Sequence, residues 1–176
     1  MTTDQALASE DSQGPPHPLS LLVARPHHTA LSCRDWVKTK SFFVDLLGFQ
    51  VIGEIDRREE PALSVVSGVP NGVCRFAMLE RGGYHVELLK WISPEGRDVD
   101  IRQNDIGIVH IAIEVSDAQA ARNLLLGEGY ETISDVQSLR GGRARVFYCK
   151  GPEGIIVEFL ELVPEQSWSE SSALKT

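Results

Sequence analysis

The chain has 176 residues, of which 42 % are hydrophobic, and it carries a formal net charge of −8. This length suits one compact domain or two small modules that share a core. The acidic balance argues against a nucleic-acid partner, because nucleic-acid-binding proteins need a basic surface that replaces phosphate counterions. It also argues against a membrane surface, and no apolar run approaches the roughly 20 residues of a membrane-spanning helix.

The cysteines and the two ends of the chain indicate where the protein works. The chain has three cysteines, an odd number, and they show no CxxC spacing: Cys33, Cys74 and Cys149. This pattern predicts small strand residues in a protein of the reducing cytoplasm rather than a disulfide framework. Residues 1–22 are acidic and rich in Ser and Pro, and they lack the basic region of a signal or transit peptide. We expect a disordered arm at 1–22 and a flexible tail at 164–176.

The segment between these ends, residues 23–163, contains the same order of predicted elements twice. Module one spans residues 24–91 and module two residues 107–163, and each reads as a strand, a helix and three strands. The elements of module one are predicted at 28–33, 35–47, 49–55, 72–79 and 84–91. Those of module two are predicted at 108–115, 117–129, 130–136, 143–149 and 154–162. The repeat therefore predicts one α+β domain built from two βαβββ modules.

Local signals mark the ends of these elements. Asp35 and Asp117 each follow a strand and precede a helical pattern, where a carboxylate can cap the first turn of the helix. Gly48 and Gly129 follow the helices, at positions that often require a left-handed residue. Residues 57–71 lie between strands and are predicted as a long loop, either a solvated charged loop or a lid that closes over a site.

Two histidines and two glutamates occupy equivalent places in the two modules. His28 and His110 each lie seven residues before the capping aspartate, and Glu87 and Glu158 each lie inside an apolar run of the last strand. A charged glutamate in such a run is costly to bury without a partner. Because side chains alternate between the faces of a strand, all four can converge in one concavity if the modules combine their sheets.

Two imidazoles and two carboxylates suit one divalent ion such as Mn, Co, Ni, Zn or Fe, and they leave about two positions for water or substrate oxygens. We therefore predict a metal site formed by His28, Glu87, His110 and Glu158. His27 has the wrong strand parity, and Val109 stands at its equivalent place, so it is not predicted as a ligand.

Several longer motifs carry a resemblance to a known family. They are TALSCRD after His28, LLGF at 46–49, VELL at 86–89, HIAIEVSD at 110–117 and GPEGIIVEF at 151–159. Together they resemble the vicinal oxygen chelate superfamily, which includes glyoxalase I, methylmalonyl-CoA epimerase, extradiol dioxygenases and bleomycin-resistance proteins. The resemblance covers nearly all of the chain outside the two tails. It implies paired βαβββ modules that form an open, incomplete barrel around a metal, and it implies a homodimer.

The resemblance also bears on the reaction. Extradiol dioxygenases usually use two histidines and one glutamate, so Glu87 favours the isomerase, epimerase and lyase branch. Bleomycin-resistance-type binders generally lack the metal ligands. Methylmalonyl-CoA epimerases tend to carry paired histidines where this chain has Val109 and His110. Glyoxalase I needs groups that hold the glutathione carboxylates, and Arg75, Arg143 and Arg145 are available without a diagnostic spacing.

These considerations predict a metal-dependent epimerase or isomerase that abstracts a proton α to the carbonyl of a small molecule, through a metal-stabilised enolate. A sugar- or cyclitol-type ketone is a possible substrate. Glu158 and Glu87 are the candidate bases, and Arg75, His85 and Arg145 are candidate substrate-binding residues. The alternatives are a glyoxalase-type lyase, an extradiol Fe(II) dioxygenase and a non-catalytic small-molecule binder.

Overall fold

The two modules form two β-sheets. The computed structural model describes residue 15 and residues 17–162. The first sheet contains β1 (Thr29–Ser32), β2 (Gln50–Arg58), β3 (Val73–Arg81) and β4 (Tyr84–Ser93), in the order β1-β4-β3-β2. The second contains β5 (Ile111–Glu114), β6 (Glu131–Thr132), β7 (Gln137–Leu139), β8 (Ala144–Lys150) and β9 (Ile156–Leu162), in the order β5-β9-β8-β6, with β7 also on β8.

The first strand of each module is parallel to its last strand, whereas the other pairings are antiparallel. The two sheets form an open barrel that does not close, with helices packed on them. The predicted α+β class and the repeated strand–helix–strand order are therefore confirmed.

The helices are α1 (Trp36–Ser41), α2 (Pro61–Ser67) and α3 (Ala118–Gly127). The predicted caps are present at α1 and α3. The Asp35 carboxylate accepts a hydrogen bond from the backbone N–H of Lys38 at 3.0 Å, and that of Asp117 accepts one from Ala120 at 2.9 Å. The capping carboxylates fix the start of each helix shortly after the strand that follows His28 or His110.

The first helix is shorter than predicted. Residues 35–47 were expected to form one α-helix, but α1 ends at Ser41 and the chain continues as a π-helical turn, Phe42–Leu46. Both phenylalanines of this turn are buried, and the rings of Phe42 and Phe43 meet edge to face at 5.3 Å. The wider turn thus places two adjacent aromatic rings in the core.

The segment 57–71 is not the long loop that the sequence predicts. Strand β2 continues through Arg58, and α2 occupies most of the remainder. Pro61 is the first residue of this helix, where its missing N–H costs no intrahelical hydrogen bond. Gly68, with a φ of 67°, ends the helix. Two residues of this helix, Val65 and Val66, are 81 % and 82 % exposed to solvent.

The prediction of one strand at 130–136 is also wrong in its extent. Only β6 lies in this range, and β7 follows it. The chain bends between them, where the side chain of Arg122 donates to the carbonyl oxygen of Ser134 at 3.1 Å. A side chain from α3 thus takes a backbone acceptor that a continuous strand would have used for pairing.

Most of the predicted arm, at 1–14 and 16, and the whole predicted tail, at 164–176, lie outside the described residues, as does Val163. The described end of the arm is ordered in part, because Pro18–Leu21 forms a 3₁₀ turn that His17 caps by accepting from the N–H of Leu19. No helix within residues 17–162 is long and apolar enough to cross a membrane.

The core lies between the helices and one face of each sheet, and both modules contribute to it. The rings of Phe147 and Phe159 stack at 5.1 Å, and Phe42 of module one meets Tyr130 of module two at 5.0 Å. Val86 and Leu88 are fully buried on this face, so Glu87 between them points to the opposite face of the first sheet.

The three cysteines are free thiols and are all buried. Burial raises the pKa of Cys33 to about 11, and burial raises that of Cys149 to about 11 as well. Burial also raises the pKa of Cys74. The thiols are therefore protonated core residues at neutral pH, not nucleophiles.

Candidate functional site

A histidine and a glutamate meet on the first sheet and form what we call the first pair. His28 precedes β1, and Glu87 lies in β4 beside Ala30. The Nε2 atom of His28 lies 3.4 Å from the Oε2 atom of Glu87. The side chains of His28 and Glu87 are 33 % and 17 % exposed, so a small molecule can reach this pair from solvent.

The second pair repeats this construction on the other sheet. His110 precedes β5, and Glu158 lies in β9 beside Ala112. The Nε2 atom of His110 lies 3.2 Å from the Oε2 atom of Glu158, and the side chains are 31 % and 14 % exposed. The spacing to the capping aspartates predicted that His28 and Glu87 correspond to His110 and Glu158. The structure shows the same correspondence, because each pair joins the start of the first strand to the last strand of its module.

The structure joins each histidine to the glutamate of its own module. Within residue 15 and residues 17–162, no group of three or more His, Cys, Asp or Glu side chains could hold a metal ion. The four predicted ligands are therefore present as two separate pairs.

Each pair fits a divalent ion by its donor atoms and their separation. Two ligand atoms that each lie about 2.0–2.2 Å from one ion are about 2.8–3.6 Å apart at octahedral or tetrahedral angles. The measured separations of 3.4 Å and 3.2 Å agree with this spacing. Imidazole nitrogen and carboxylate oxygen are ligands that first-row divalent metals accept.

His27 and His85 lie beside the first pair. The Nδ1 atom of His27 is 2.8 Å from the Nδ1 atom of His28, and the ring of His27 stacks on that of His85 at 5.8 Å. Strand parity excluded His27 as a ligand, and it does not touch Glu87 through any described contact. Parity could not reveal its contact with His28, because both histidines precede the strand.

The other two candidate substrate-binding residues are engaged in ion pairs on the opposite sheet faces. Arg75 binds Glu54 at 2.9 Å and Asp56 at 2.7 Å, and its guanidinium lies 4.5 Å from the ring of Trp36. It is opposite Lys90 in the strand register, so it shares the face of Val86 and Leu88 rather than that of the first pair.

Arg145 is arranged in the same way on the second sheet. It binds Glu161 at 3.1 Å, and the same carboxylate accepts the N–H of Ala118 at the start of α3. Glu161 and Glu158 are three residues apart in β9 and so lie on opposite faces. The structure brings neither arginine to a pair.

Two residues that sequence reasoning missed contact the second pair. Tyr148 in β8 is opposite Glu158, and its ring lies 5.4 Å from that of His110. The pKa of this phenol is raised mainly by burial and to a smaller extent by the charge of Glu158. The phenol is therefore protonated at neutral pH and can donate a hydrogen bond. Gln103, in the linker between the modules, contacts the Nδ1 atom of His110 at 2.9 Å.

A cavity of about 340 Å³ opens where the ends of β1 and β4 meet the linker. Lys90, Trp91 and Ile101 are among its lining residues, and neither pair lines it. Arg34 fixes its rim by binding both carboxylate oxygens of Asp98, at 2.7 Å and 2.9 Å. The cavity is thus a preformed space next to the first sheet.

Comparisons with known sequences assign the family of this fold. The profile of the Glyoxalase/Bleomycin resistance protein/Dioxygenase superfamily matches residues 25–159. The chain belongs to this superfamily, as the sequence motifs predict.

Two curated relatives are similar to this chain. One is the uncharacterized protein YwkD of Bacillus subtilis (strain 168), which is 32 % identical over 112 residues, or 64 % of this chain and 77 % of the relative. The other is a 2-epi-5-epi-valiolone epimerase of Actinomyces sp, which is 25 % identical over 166 residues, or 82 % of this chain and 91 % of the relative.

Solved structures share the fold at lower sequence identity. A glyoxalase family protein from Bacillus cereus matches with a TM-score of 0.73 and 21 % identity, over 80 % of this chain and 95 % of that one. The fosfomycin resistance protein FosX from Listeria monocytogenes, complexed with Mn(II) and sulfate, matches with a TM-score of 0.52 and 14 % identity, over 81 % and 96 %.

Proposed function

We propose that this protein is a divalent-metal-dependent epimerase or isomerase that moves a proton α to the carbonyl of a small molecule. The observation that carries the proposal is the pair of His–Glu contacts, in equivalent places of both modules and at the spacing of metal ligands. The similarity to an epimerase of a valiolone supports a hydroxylated cyclic ketone as the substrate class.

His28, Glu87, His110 and Glu158 would hold the ion, with Mn, Co, Ni, Zn or Fe as the candidates. When bound, the ion supplies Lewis acidity beside the substrate carbonyl oxygen. The similar FosX structure contains Mn(II), which supports a site of this kind in the fold.

The two glutamates transfer the proton as base and acid. One carboxylate oxygen takes the α-proton, and the electron pair of the broken C–H bond moves toward the carbonyl to give the enolate. The other glutamate, as a carboxylic acid, returns a proton to the opposite face, which yields the epimer. Delivery to the neighbouring carbon yields the isomer instead. The protonated phenol of Tyr148 adds a donor beside the second pair.

The direct test compares the metal content of wild-type protein with that of His110→Ala. We expect roughly one divalent ion per chain in the wild type and its loss in the variant, because one imidazole ligand is removed. His17→Ala is the matched control, since His17 is exposed in the arm and only caps a 3₁₀ turn. The same proteins are then tested in D₂O for exchange of the α-proton in polyhydroxylated cyclic ketones, other α-hydroxyketones and acyl thioesters.

Deuterium in the recovered substrate or its epimer, dependent on metal and absent in His110→Ala, would support the proposal. Metal-free wild-type protein after reconstitution with each candidate ion would contradict it. A bound metal with no exchange in any substrate class would contradict the proton-transfer step.

We further propose that the protein is a homodimer in which each complete ligand set combines the first pair of one copy with the second pair of the other. Two observations support this: the pairs are separate within one chain, and large aliphatic side chains are exposed. Among the described residues, those exposed by three quarters or more are Leu22, Val37, Val65, Val66, Ile106 and Ile108. A second copy of the chain would cover part of this surface.

Mixing two inactive variants tests the shared site. One lacks the first pair, through His28→Ala with Glu87→Ala, and the other lacks the second, through His110→Ala with Glu158→Ala. After subunit exchange, we expect mixed dimers to regain metal and α-proton exchange, because one of their two sites is intact. A monomer in sedimentation velocity, or a mixture that stays as inactive as its parents, would refute the shared site.

A second candidate function is the binding of a small molecule without catalysis. The cavity of about 340 Å³, which neither pair lines, favours it. Such a binder would gain thermal stability with its ligand, with or without metal, and would show no α-proton exchange.

A further inference from the structure

A lysine without a partner lines the cavity beside the first sheet. Lys90 lies in β4 and is half-buried. Its ammonium group makes no hydrogen bond or ion pair with any other residue that the structure describes. A half-buried charge of this kind has lost part of its hydration and has gained no ion pair in return. Lys90 can therefore bind a group of opposite charge that enters the cavity.

The sequence repeat shows how this lysine differs from its counterpart. Lys90 occupies the place that Glu161 occupies in the second module, three residues after the site glutamate in both cases. Glu161 forms an ion pair with Arg145, at 3.1 Å. Lys90 instead stands opposite another cation, Arg75, in the strand register. Like charges at directly opposed positions are destabilising, so the stability of the sheet does not account for a lysine at this place.

The other charged residues that line the cavity are all exposed. Arg34 binds Asp98, and the carboxylate of Glu153 accepts a hydrogen bond from the backbone N–H of Arg34 at 3.0 Å. Glu95 and Arg97 carry opposite charges at the rim. The charge of the lysine is thus the half-buried charge of this cavity, and it is left without a counter-ion.

The walls around the lysine include large apolar side chains. Trp91 and Ile155 are half-buried, and Val99 and Ile101 of the linker are 60 % and 39 % exposed. The ring of Trp91 lies close to the backbone of Gly72, where a Cβ atom would be only 2.9 Å from it. A ligand that fills the cavity would cover these side chains. It must therefore combine an apolar body with a group that meets one positive charge.

We propose that this cavity binds a small monocarboxylate with an aromatic or branched aliphatic body, whose carboxylate pairs with the ammonium group of Lys90. One half-buried cation matches a single negative charge, whereas a phosphate dianion would need further donors. Neither pair lines the cavity, and Lys90 and Glu87, three residues apart in β4, lie on opposite faces of the sheet. The inference therefore does not rest on the proposed metal chemistry.

Isothermal titration calorimetry with phenylpropionate and isovalerate tests the ligand class, and the amide of each acid is the neutral control. The full chain is used as purified and after removal of metal by chelation. We expect the acids to bind and the amides to bind about 10–100-fold more weakly, because they lack the charge that strengthens a hydrogen bond to an ammonium group. Chelation should leave these affinities unchanged, since neither pair lines the cavity.

Variants of the lysine test its role. Lys90→Met keeps the side-chain length and removes the charge, so it should bind the acids about 10–100-fold more weakly and the amides as the wild type does. Lys90→Arg should retain the binding of the acids. Lys150→Met is the matched control, because Lys150 is 58 % exposed and pairs with Glu131. Lys90→Met should melt no lower than the wild type, since it removes a charge opposite Arg75.

The ¹H–¹⁵N correlation spectrum of the wild type locates the ligand. We expect phenylpropionate to shift the amide signals of residues 95–101 and Ile155, and to leave those of Ala30 and Ala112, beside the site glutamates, unchanged.

The inference is overturned if neither acid binds at millimolar concentration, if the amides bind as tightly as the acids, or if Lys90→Met binds the acids as the wild type does. Shifts that cluster at the two pairs, or binding only to metal-loaded protein, would place the carboxylate at an ion and would also overturn it.

Discussion

Glu158→Gln is expected to abolish epimerisation and still exchange the α-proton of one of the two epimers. In a two-base reaction each glutamate serves one face of the substrate, so the remaining Glu87 can remove and return a proton on its own side. The loss in the rate of epimer formation should be about 10²–10⁴-fold, the usual contribution of a positioned acid or base. Glutamine retains an oxygen in the place of the carboxylate, which makes this change milder for metal binding than alanine.

Glu87→Gln should show the complementary pattern, with exchange confined to the other epimer. NMR of each epimer separately in D₂O distinguishes the two variants. Glu131→Gln is the control, because this glutamate is 75 % exposed and pairs only with Lys150, at 3.2 Å. Epimerisation at the wild-type rate in either site variant would remove that glutamate from the mechanism. Loss of exchange from both epimers in one variant, with exchange of both epimers kept in the other, would point to one base acting on both faces.

Phe43→Ala is expected to lower the free energy of unfolding by about 3–5 kcal/mol, the usual cost of such a truncation in a core. Phe43 is 0 % exposed, and its ring meets those of Phe42 at 5.3 Å and Phe49 at 5.5 Å, both edge to face. Removing it leaves a cavity in the core beside the rings of Phe42 and Phe49. Because a domain is stable by only about 5–15 kcal/mol, the variant should be close to unfolding at room temperature.

Urea denaturation followed by fluorescence measures this loss as a lower midpoint at an unchanged m value. Val37→Ala is the control, on the helix that precedes the π-helical turn of Phe43. Val37 is 75 % exposed, and its truncation should change stability by no more than about 0.5 kcal/mol. A loss below about 1 kcal/mol in Phe43→Ala would show that the ring is not a central packing element.

The features predicted correctly from the sequence depend on short-range physics or on the repeat. Asp35 and Asp117 cap helices because a carboxylate near a strand end meets the free N–H groups of the next turn. The equivalent placement of the two His–Glu pairs follows from the repeat, because the first strand pairs in parallel with the last strand in both modules. That these side chains bind a metal stays a prediction. Whether the two pairs share one ion depends on how whole sheets are arranged, and no local pattern encodes that.

The features that the sequence did not reveal involve partners far apart in the chain. Arg75 looked available for a substrate because its partners, Glu54 and Asp56, lie on another strand whose register is set only by folding. No sequence pattern marks Tyr148, because its place beside Glu158 depends on the pairing of β8 with β9. Segment 57–71 was misassigned because its Pro and Gly, which are typical of loops, here start and end a short helix.

Gln103 contacts His110 but lies in the linker, outside the second module. The surroundings of the second pair therefore extend beyond the limits of the sequence repeat. A fragment cut at the limits of the second module, residues 107–163, would keep His110 and Glu158 and lose Gln103, which contacts the ring of the histidine. The first module carries its own neighbour for His28, namely His27. The two halves of this chain are therefore not interchangeable parts, and recombining modules from different family members would have to preserve the linker as carefully as the strands.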